Sequence, residues 1–249
     1  MTILQFPKQR RHTLYFLEEA ARHRPVFLDT SIDMSAVASH REAAAGMRCG
    51  WLAYVIHATS RTMRQYPDAN AMLIDGLRPR LARFPRVNAK ITLDKQMEGV
   101  RNVVSGVIAD ADEKDVAHIQ QSIDTLKAQD PATDPAHAGL RRLQSLPVPA
   151  GRAVFSWLMR SPERKAALQG SYAITSLGNS AVEGFLPMIG ATVTFGVGHI
   201  APAPVVAGAE LVIRPVLRLT MAFDHRVLDG AMAAELLTQV KRCLETFPN

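Results

Sequence analysis

Apolar positions recur along this chain at two periods, and the changes from one to the other mark its elements. Residues 51–65 place Leu52, Val55, Ile56, Thr59 and Met63 at i, i+3, i+4, i+7 and i+11. That is the stripe of an amphipathic helix with one buried face. Residues 13–23 carry Leu14, Leu17 and Ala21 on one helical face. Pro25, which cannot continue a helix, ends that segment before VFLDTSIDM, which reads as a strand. Asp112 is placed to cap a helix bearing Val116, Ile119, Ile123 and Leu126. Residues 211–223 alternate with a period of two, setting Leu211, Ile213, Leu217, Leu219, Met221 and Phe223 on one side. Pro215 lacks an N–H, so its place in that strand must be an edge or a bulge. A last helix is expected to bury Ala233, Leu236, Leu237, Val240, Leu244 and Phe247. Helical and strand periods mix without a strict βαβ rhythm, which predicts an α+β sandwich with a largely mixed sheet.

With 249 residues, 47% of them hydrophobic, the chain can bury a substantial core as one large domain or two small ones. Lys and Arg total 29 against 23 Asp and Glu, a net charge of +6. The basic residues are spread out, with small clusters at residues 8–11 and 78–86, and aromatics are only 6%, which argues against a nucleic-acid-binding stripe. A mild positive field suits an anionic small-molecule partner. Cys49 and Cys243 have neither metal-ligand nor CxxC spacing and fit a reducing cytosol. The N-terminal MTILQFPKQRR carries charge where a signal peptide needs its apolar stretch, so a cytoplasmic location is expected. Residues 185–209 contain no Asp, Glu, Lys or Arg and are long enough to span a bilayer. Pro187, Pro202, Pro204, Gly190, Gly196, Gly198 and Gly208 would interrupt such a helix, so the run reads as core strands and loops, with no transmembrane segment.

The densest candidate chemistry is FDHRVLDG at residues 223–230, between a strand-like run and a helix-like one. A histidine in a turn can act as a general base near neutral pH, because its unperturbed pKa is about 6.5. Asp229 can brace such a turn, or it can simply cap the following helix. His225 has an ordinary reading too, as one of eight histidines with no role in chemistry. No other chemistry-bearing motif stands out: there is no GxxxxGK[ST] loop, no HExxH, and no GxGxxG spacing in FGVG at residues 195–198.

FDHRVLDGA resembles the DHRxxDG signature of the catalytic domain of 2-oxo acid dehydrogenase acyltransferases (E2, lipoamide acyltransferases), a family that shares its fold with chloramphenicol acetyltransferase. Other segments resemble the family in the same order. These are Arg10-Arg11-His12-Thr13 with Pro25 and Phe27, then Val55-Ile56-His57-Ala58 through Tyr66-Pro67-Asp68-Ala69-Asn70. VIADADEK at residues 107–114, SYAITSLG at 171–178 and FGVG at 195–198 complete the series. Several positions depart from the family: His57 where it has Lys, Ala53 where it often has Asp, and Gly106 where it has Pro.

The resemblance implies a chloramphenicol acetyltransferase-like two-layer α+β sandwich with a mixed β-sheet over residues 1–249, as one acyltransferase catalytic domain. It implies transfer of an acyl group between a coenzyme A thioester and a thiol acceptor, dihydrolipoyl or other. His225 would be the general base and Thr175 the hydroxyl that donates to the tetrahedral intermediate. Asp229 would support the site, paired with Arg10. Coenzyme A enters as a substrate, no metal is expected, and no lipoyl attachment site is present, so a lipoyl domain would come from another chain. A homotrimer is expected. The chain is read as a stand-alone form without lipoyl or subunit-binding domains. Residues 131–169 are atypical of the family as an insertion. Their Val154, Phe155, Trp157, Leu158 and Met159 are expected to pack on the core, with a docking or membrane-surface helix as the other reading. Two further readings stay open: a non-catalytic trimeric scaffold of the same fold, and an acyltransferase for a carrier protein or a small molecule. Thr175 would then be an ordinary strand threonine.

Overall fold

A computed structural model describes residues 1–44 and 49–248. In chain order the elements are α1 (Arg11–Ala20), β1 (Pro25–Asp33), α2 (Ser35–Ala43), α3 (Trp51–Gln65), β2 (Ala71–Ile74), β3 (Arg80–Arg83), β4 (Ala89–Met97) and β5 (Val100–Ile108). They continue with α4 (Val116–Ala128), α5 (Ala138–Ser145), α6 (Val148–Met159), α7 (Pro162–Gln169), β6 (Tyr172–Ser176), β7 (Val193–Ala207), β8 (Glu210–Asp224) and α8 (Gly230–Glu245). Six strands form one sheet in the order β1-β8-β7-β6-β4-β5, while β2 and β3 pair as a separate ribbon. β6 runs parallel to β4 and β7, and every other pairing is antiparallel, so the mixed α+β sheet expected from the sequence is observed.

The helix expected at residues 51–65 is α3, and nine of its side chains are buried. Together with α8 it covers one face of the sheet, where Ile32, Ile91, Ile174, Phe195, Leu219, Met221 and Phe223 meet Tyr54, Ile56, Leu236 and Val240. Burying one such side chain stabilises the fold by roughly 1.5–3 kcal/mol. All six residues assigned to the inner side of the last helix are buried.

Three sequence expectations need correction. In α1 the buried side chains are Tyr15 and Ala20, whereas Leu17 is 40% exposed. The reason lies outside the helix: α6 packs Phe155 and Met159 against Tyr15, turning the helix toward that partner. α4 is capped by Asp115, whose carboxylate accepts from the His118 amide, and not by Asp112. Asp112 is buried and instead accepts from the Val87 amide, tying α4's approach to β4. Leu211 and Ile213 share a side with Leu217 and Phe223 but are 73% and 67% exposed. The pairing of β1 ends at Asp33 opposite Val216, so the β7–β8 hairpin continues past the covered part of the sheet. Pro215 stands just beyond that end, opposite Pro202, where a missing N–H costs nothing on the β1 side.

Residues 131–169 fold into α5, α6 and α7. Phe155 and Met159 pack inward, while Val154 is 40% and Trp157 55% exposed, with the Arg164 guanidinium 3.8 Å from the Trp157 ring centroid. The segment thus packs about half of its apolar set against α1, in a small cluster apart from the main core, and α1 and α7 together lie over the sheet's second face. On that face Lys90 of β4 lies beneath Phe16 of α1 and donates to Gln169 of α7.

Candidate functional site

β8 ends at Asp224, and the chain turns through His225 before α8 begins at Gly230. The turn is held by Asp224, whose side chain is 2% exposed. Its carboxylate accepts from Arg226 Nε at 3.0 Å and Nη2 at 2.7 Å, and from the Arg24 amide at 3.3 Å. Burial pushes the Asp224 carboxyl up, but the hydrogen bonds from Arg226 and the Arg24 amide outweigh it and hold it below the usual carboxylate range. The Val227 and Leu228 amides close the turn on the Asp224 carbonyl. His225 is anchored by its own amide, 2.9 Å from the Arg24 carbonyl, and its exposed ring stands 5.6 Å from that of Phe223. An imidazole displayed on a turn whose backbone is fixed on both sides is positioned for proton transfer with a ligand.

Thr175 ends up on β6, half-buried, where Thr92 of β4 donates to its Oγ1 at 2.7 Å. With Oγ1 accepting from Thr92, the Thr175 O–H is left to donate elsewhere. Gly196 is the register partner of Thr175 and also of Thr220. A Cβ at Gly196 would collide with Thr220 Oγ1, and one at Gly198 with the Glu183 carbonyl, so these glycines serve close packing and not phosphate binding.

That register sets the distance between the two candidate groups. His225 lies five residues past Thr220, one beyond the end of β8, and Thr175 lies two strands away from Thr220. With a rise near 3.3 Å per residue and strands near 4.8 Å apart, His225 and Thr175 of one chain are separated by roughly 19 Å. One chain alone does not bring them together.

Arg10 and Asp229 are not brought together either. The Arg10 guanidinium sits 6.0 Å over the Phe6 ring, and among the described residues no ion pair joins it to Asp229. Asp229 is the N-cap of α8, accepting from the Met232 amide at 3.0 Å. The expected supporting pair is thus replaced by Asp224–Arg226, whose two members flank His225 within the same motif. Their i, i+2 spacing across a turn was the available signal. Asp229→Asn should leave the melting temperature almost unchanged, since asparagine caps helices as well as aspartate does. Asp229→Ala should cost about 1 kcal/mol. Thermal melts followed by circular dichroism check both.

His57, where the resembling family has Lys, packs its ring 5.7 Å from Phe247, and burial, helped by Arg61, lowers its pKa to about 4. It is a neutral packing residue. Among the described residues no group of three or more His, Cys, Asp or Glu side chains could hold a metal ion, and no helix is long and apolar enough to cross a membrane.

The family model for "2-oxoacid dehydrogenases acyltransferase (catalytic domain)" matches residues 163–249, from α7 through the turn to the C-terminus. The dihydrolipoyllysine-residue acetyltransferase component of the pyruvate dehydrogenase complex of Bacillus subtilis is 28% identical over 229 residues, covering 88% of this chain. The chain spans 44% of that relative's length. Among solved structures, a probable dihydrolipoamide acetyltransferase from Listeria monocytogenes superimposes with a TM-score of 0.74 at 17% identity, covering 100% of this chain and 96% of its own. A chloramphenicol acetyltransferase superimposes with a TM-score of 0.53 at 11% identity, covering 98% of each chain. The fold expected from the sequence is therefore the fold observed.

Proposed function

We propose that this chain, whose residues 163–249 match the catalytic-domain model of the 2-oxoacid dehydrogenase acyltransferases, transfers an acyl group between a coenzyme A thioester and a thiol. The acceptor that fits best is a dihydrolipoyl group carried on another chain, and the setting is the cytoplasm. The observation that carries this reading is the FDHRVLDG turn, which exposes the His225 ring on a backbone clamped by Asp224, Arg226 and Arg24.

The chemistry needs few groups. The His225 imidazole takes the proton of the attacking thiol. The thiolate adds to the thioester carbonyl, and the oxyanion of the tetrahedral intermediate accepts a hydrogen bond from Thr175 Oγ1. Collapse breaks the original C–S bond, and the departing thiolate takes the proton back from the imidazolium. A positioned base contributes roughly 10²–10⁴-fold and one oxyanion donor roughly 10²–10³-fold. Because Thr175 and His225 of one chain lie roughly 19 Å apart along the sheet register, the two roles fall to neighbouring chains. A closed three-fold ring, repeating one heterologous contact, supplies three such sites. Apolar side chains that one chain leaves uncovered, Leu186 and Met188 at 62% and 58% exposure, fit a place in that contact.

A panel of acyl-CoAs offered with dihydrolipoamide tests the reading, with free coenzyme A and acyl-dihydrolipoamide followed by chromatography. Release of coenzyme A matched by acyl-dihydrolipoamide is expected for at least one acyl group. Release only with a carrier-protein or small-molecule acceptor would move the acceptor class. No release from any acyl-CoA by a folded oligomer would leave the non-catalytic scaffold.

A further inference from the structure

On the side of the Asp224–Arg226 clamp, a cleft of about 380 Å³ opens between α1, the β2 strand and the α6–α7 corner. Its charges do not balance. Glu19 is paired with Arg22 at 3.2 Å, and Asp224 with Arg226 at 2.7 Å, while Asp75 reaches Arg226 at 3.7 Å. Lys165 and Arg160 also line the cleft, and among the described residues neither side chain makes a hydrogen bond or an ion pair. Lys165 is 6% exposed. A buried ammonium without a hydrogen-bonded partner is costly, and burial accordingly lowers its pKa, with Glu19 and Asp224 acting on it only through space. Met72, Ile74 and Met159 supply apolar lining to the same cleft.

We propose that this cleft is a binding site for an oxyanion, carboxylate or phosphate, held by Lys165 and Arg160 with its organic body against Met72 and Met159. The inference goes beyond acyl transfer, because the cleft is lined by Asp224 and Arg226 but not by His225. Lys165 and Arg160 come from the α6–α7 segment, and Arg160 lies outside the stretch matched by the family model. An anion there would give the Lys165 ammonium the hydrogen bonds that it lacks within the chain. Two sources share this chemistry: small free anions, such as inorganic phosphate or a short-chain carboxylate, and the phosphates of coenzyme A.

Isothermal titration of the full chain with inorganic phosphate, with hexanoate and with coenzyme A separates these sources. Saturable binding of phosphate or hexanoate is expected, weakened at least tenfold by Lys165→Met and several-fold by Arg160→Gln, and unchanged by His225→Ala. If only coenzyme A binds with that dependence on Lys165 and Arg160, the anion is the coenzyme's own. Arg160 is exposed, so its substitution leaves the fold intact even if Lys165→Met repacks the cleft. Absence of saturable binding by all three probes, or binding insensitive to both substitutions, overturns the proposal. Neither outcome depends on turnover, so failure here is distinct from failure of the acyltransferase reading.

Discussion

Replacing His225 with alanine is expected to lower acyl transfer by a hundredfold or more and to leave the melting temperature unchanged. The rate loss follows from removing the base that generates the thiolate. The unchanged stability follows from the structure around the ring: it is exposed, and within the chain its nitrogens take no hydrogen bond among the described residues. The backbone bond from residue 225 to the Arg24 carbonyl survives the substitution. Thr175→Ala should lose less, within the range of one oxyanion donor, and Thr175→Ser should keep most activity because the hydroxyl is retained. Steady-state kinetics beside thermal melts check the pair of effects. A His225→Ala protein with unaltered turnover would remove the base from the mechanism.

Lys90→Met is expected to raise stability, most strongly at and below neutral pH. Lys90 is 6% exposed, lies 4.5 Å over the Phe16 ring and donates to Gln169, and among the described residues it makes no ion pair with a carboxylate. Burial, reinforced by Lys165, lowers its pKa to about 7 from an ordinary 10.5. Between those values the unfolded chain holds a proton that the folded chain does not, so stability rises with pH through that window. Below it both states carry the proton and the burial cost is present in full. The lowered pKa caps the gain at ~5 kcal/mol, and the lost amide and ring contacts reduce it to about 2–3 kcal/mol. The advantage of the variant should therefore shrink as pH climbs from 6 to 10. Urea unfolding at three pH values measures this, and equal stabilisation at all of them would refute a charged, buried Lys90.

What the sequence disclosed and what it withheld divide along physical lines. α3 and α8 were legible because their apolar stripes pack against a sheet that runs the length of the helix, so one face stays buried throughout. The mixed sheet was legible from strands that alternate with helices irregularly. α1 was misjudged because its burial is decided by α6, a partner more than a hundred residues away, whose Phe155 seeks Tyr15. The exposed half of β8 was misjudged because periodicity reports which side a residue faces, not whether anything covers that side. For the candidate site, two separate motifs pointed to His225 and Thr175, but spacing along the chain carries no distance across a sheet. Within one chain Arg10 and Asp229 do not meet, for the same reason, while the nearer Asp224–Arg226 pair braces the turn. Thr92, which fixes Thr175, carried no signal in the sequence, since its role exists only through the β4–β6 register.

The central claim is that each site draws His225 from one chain and Thr175 from a neighbour. Mixing equal amounts of His225→Ala and Thr175→Ala protein, unfolded and refolded together, tests it most directly. Each shared site then has one chance in two of an intact His225 and one in two of an intact Thr175, so about one quarter of wild-type activity should return. No recovery despite demonstrated subunit exchange, or a monomeric mass for the active wild-type protein, would contradict it.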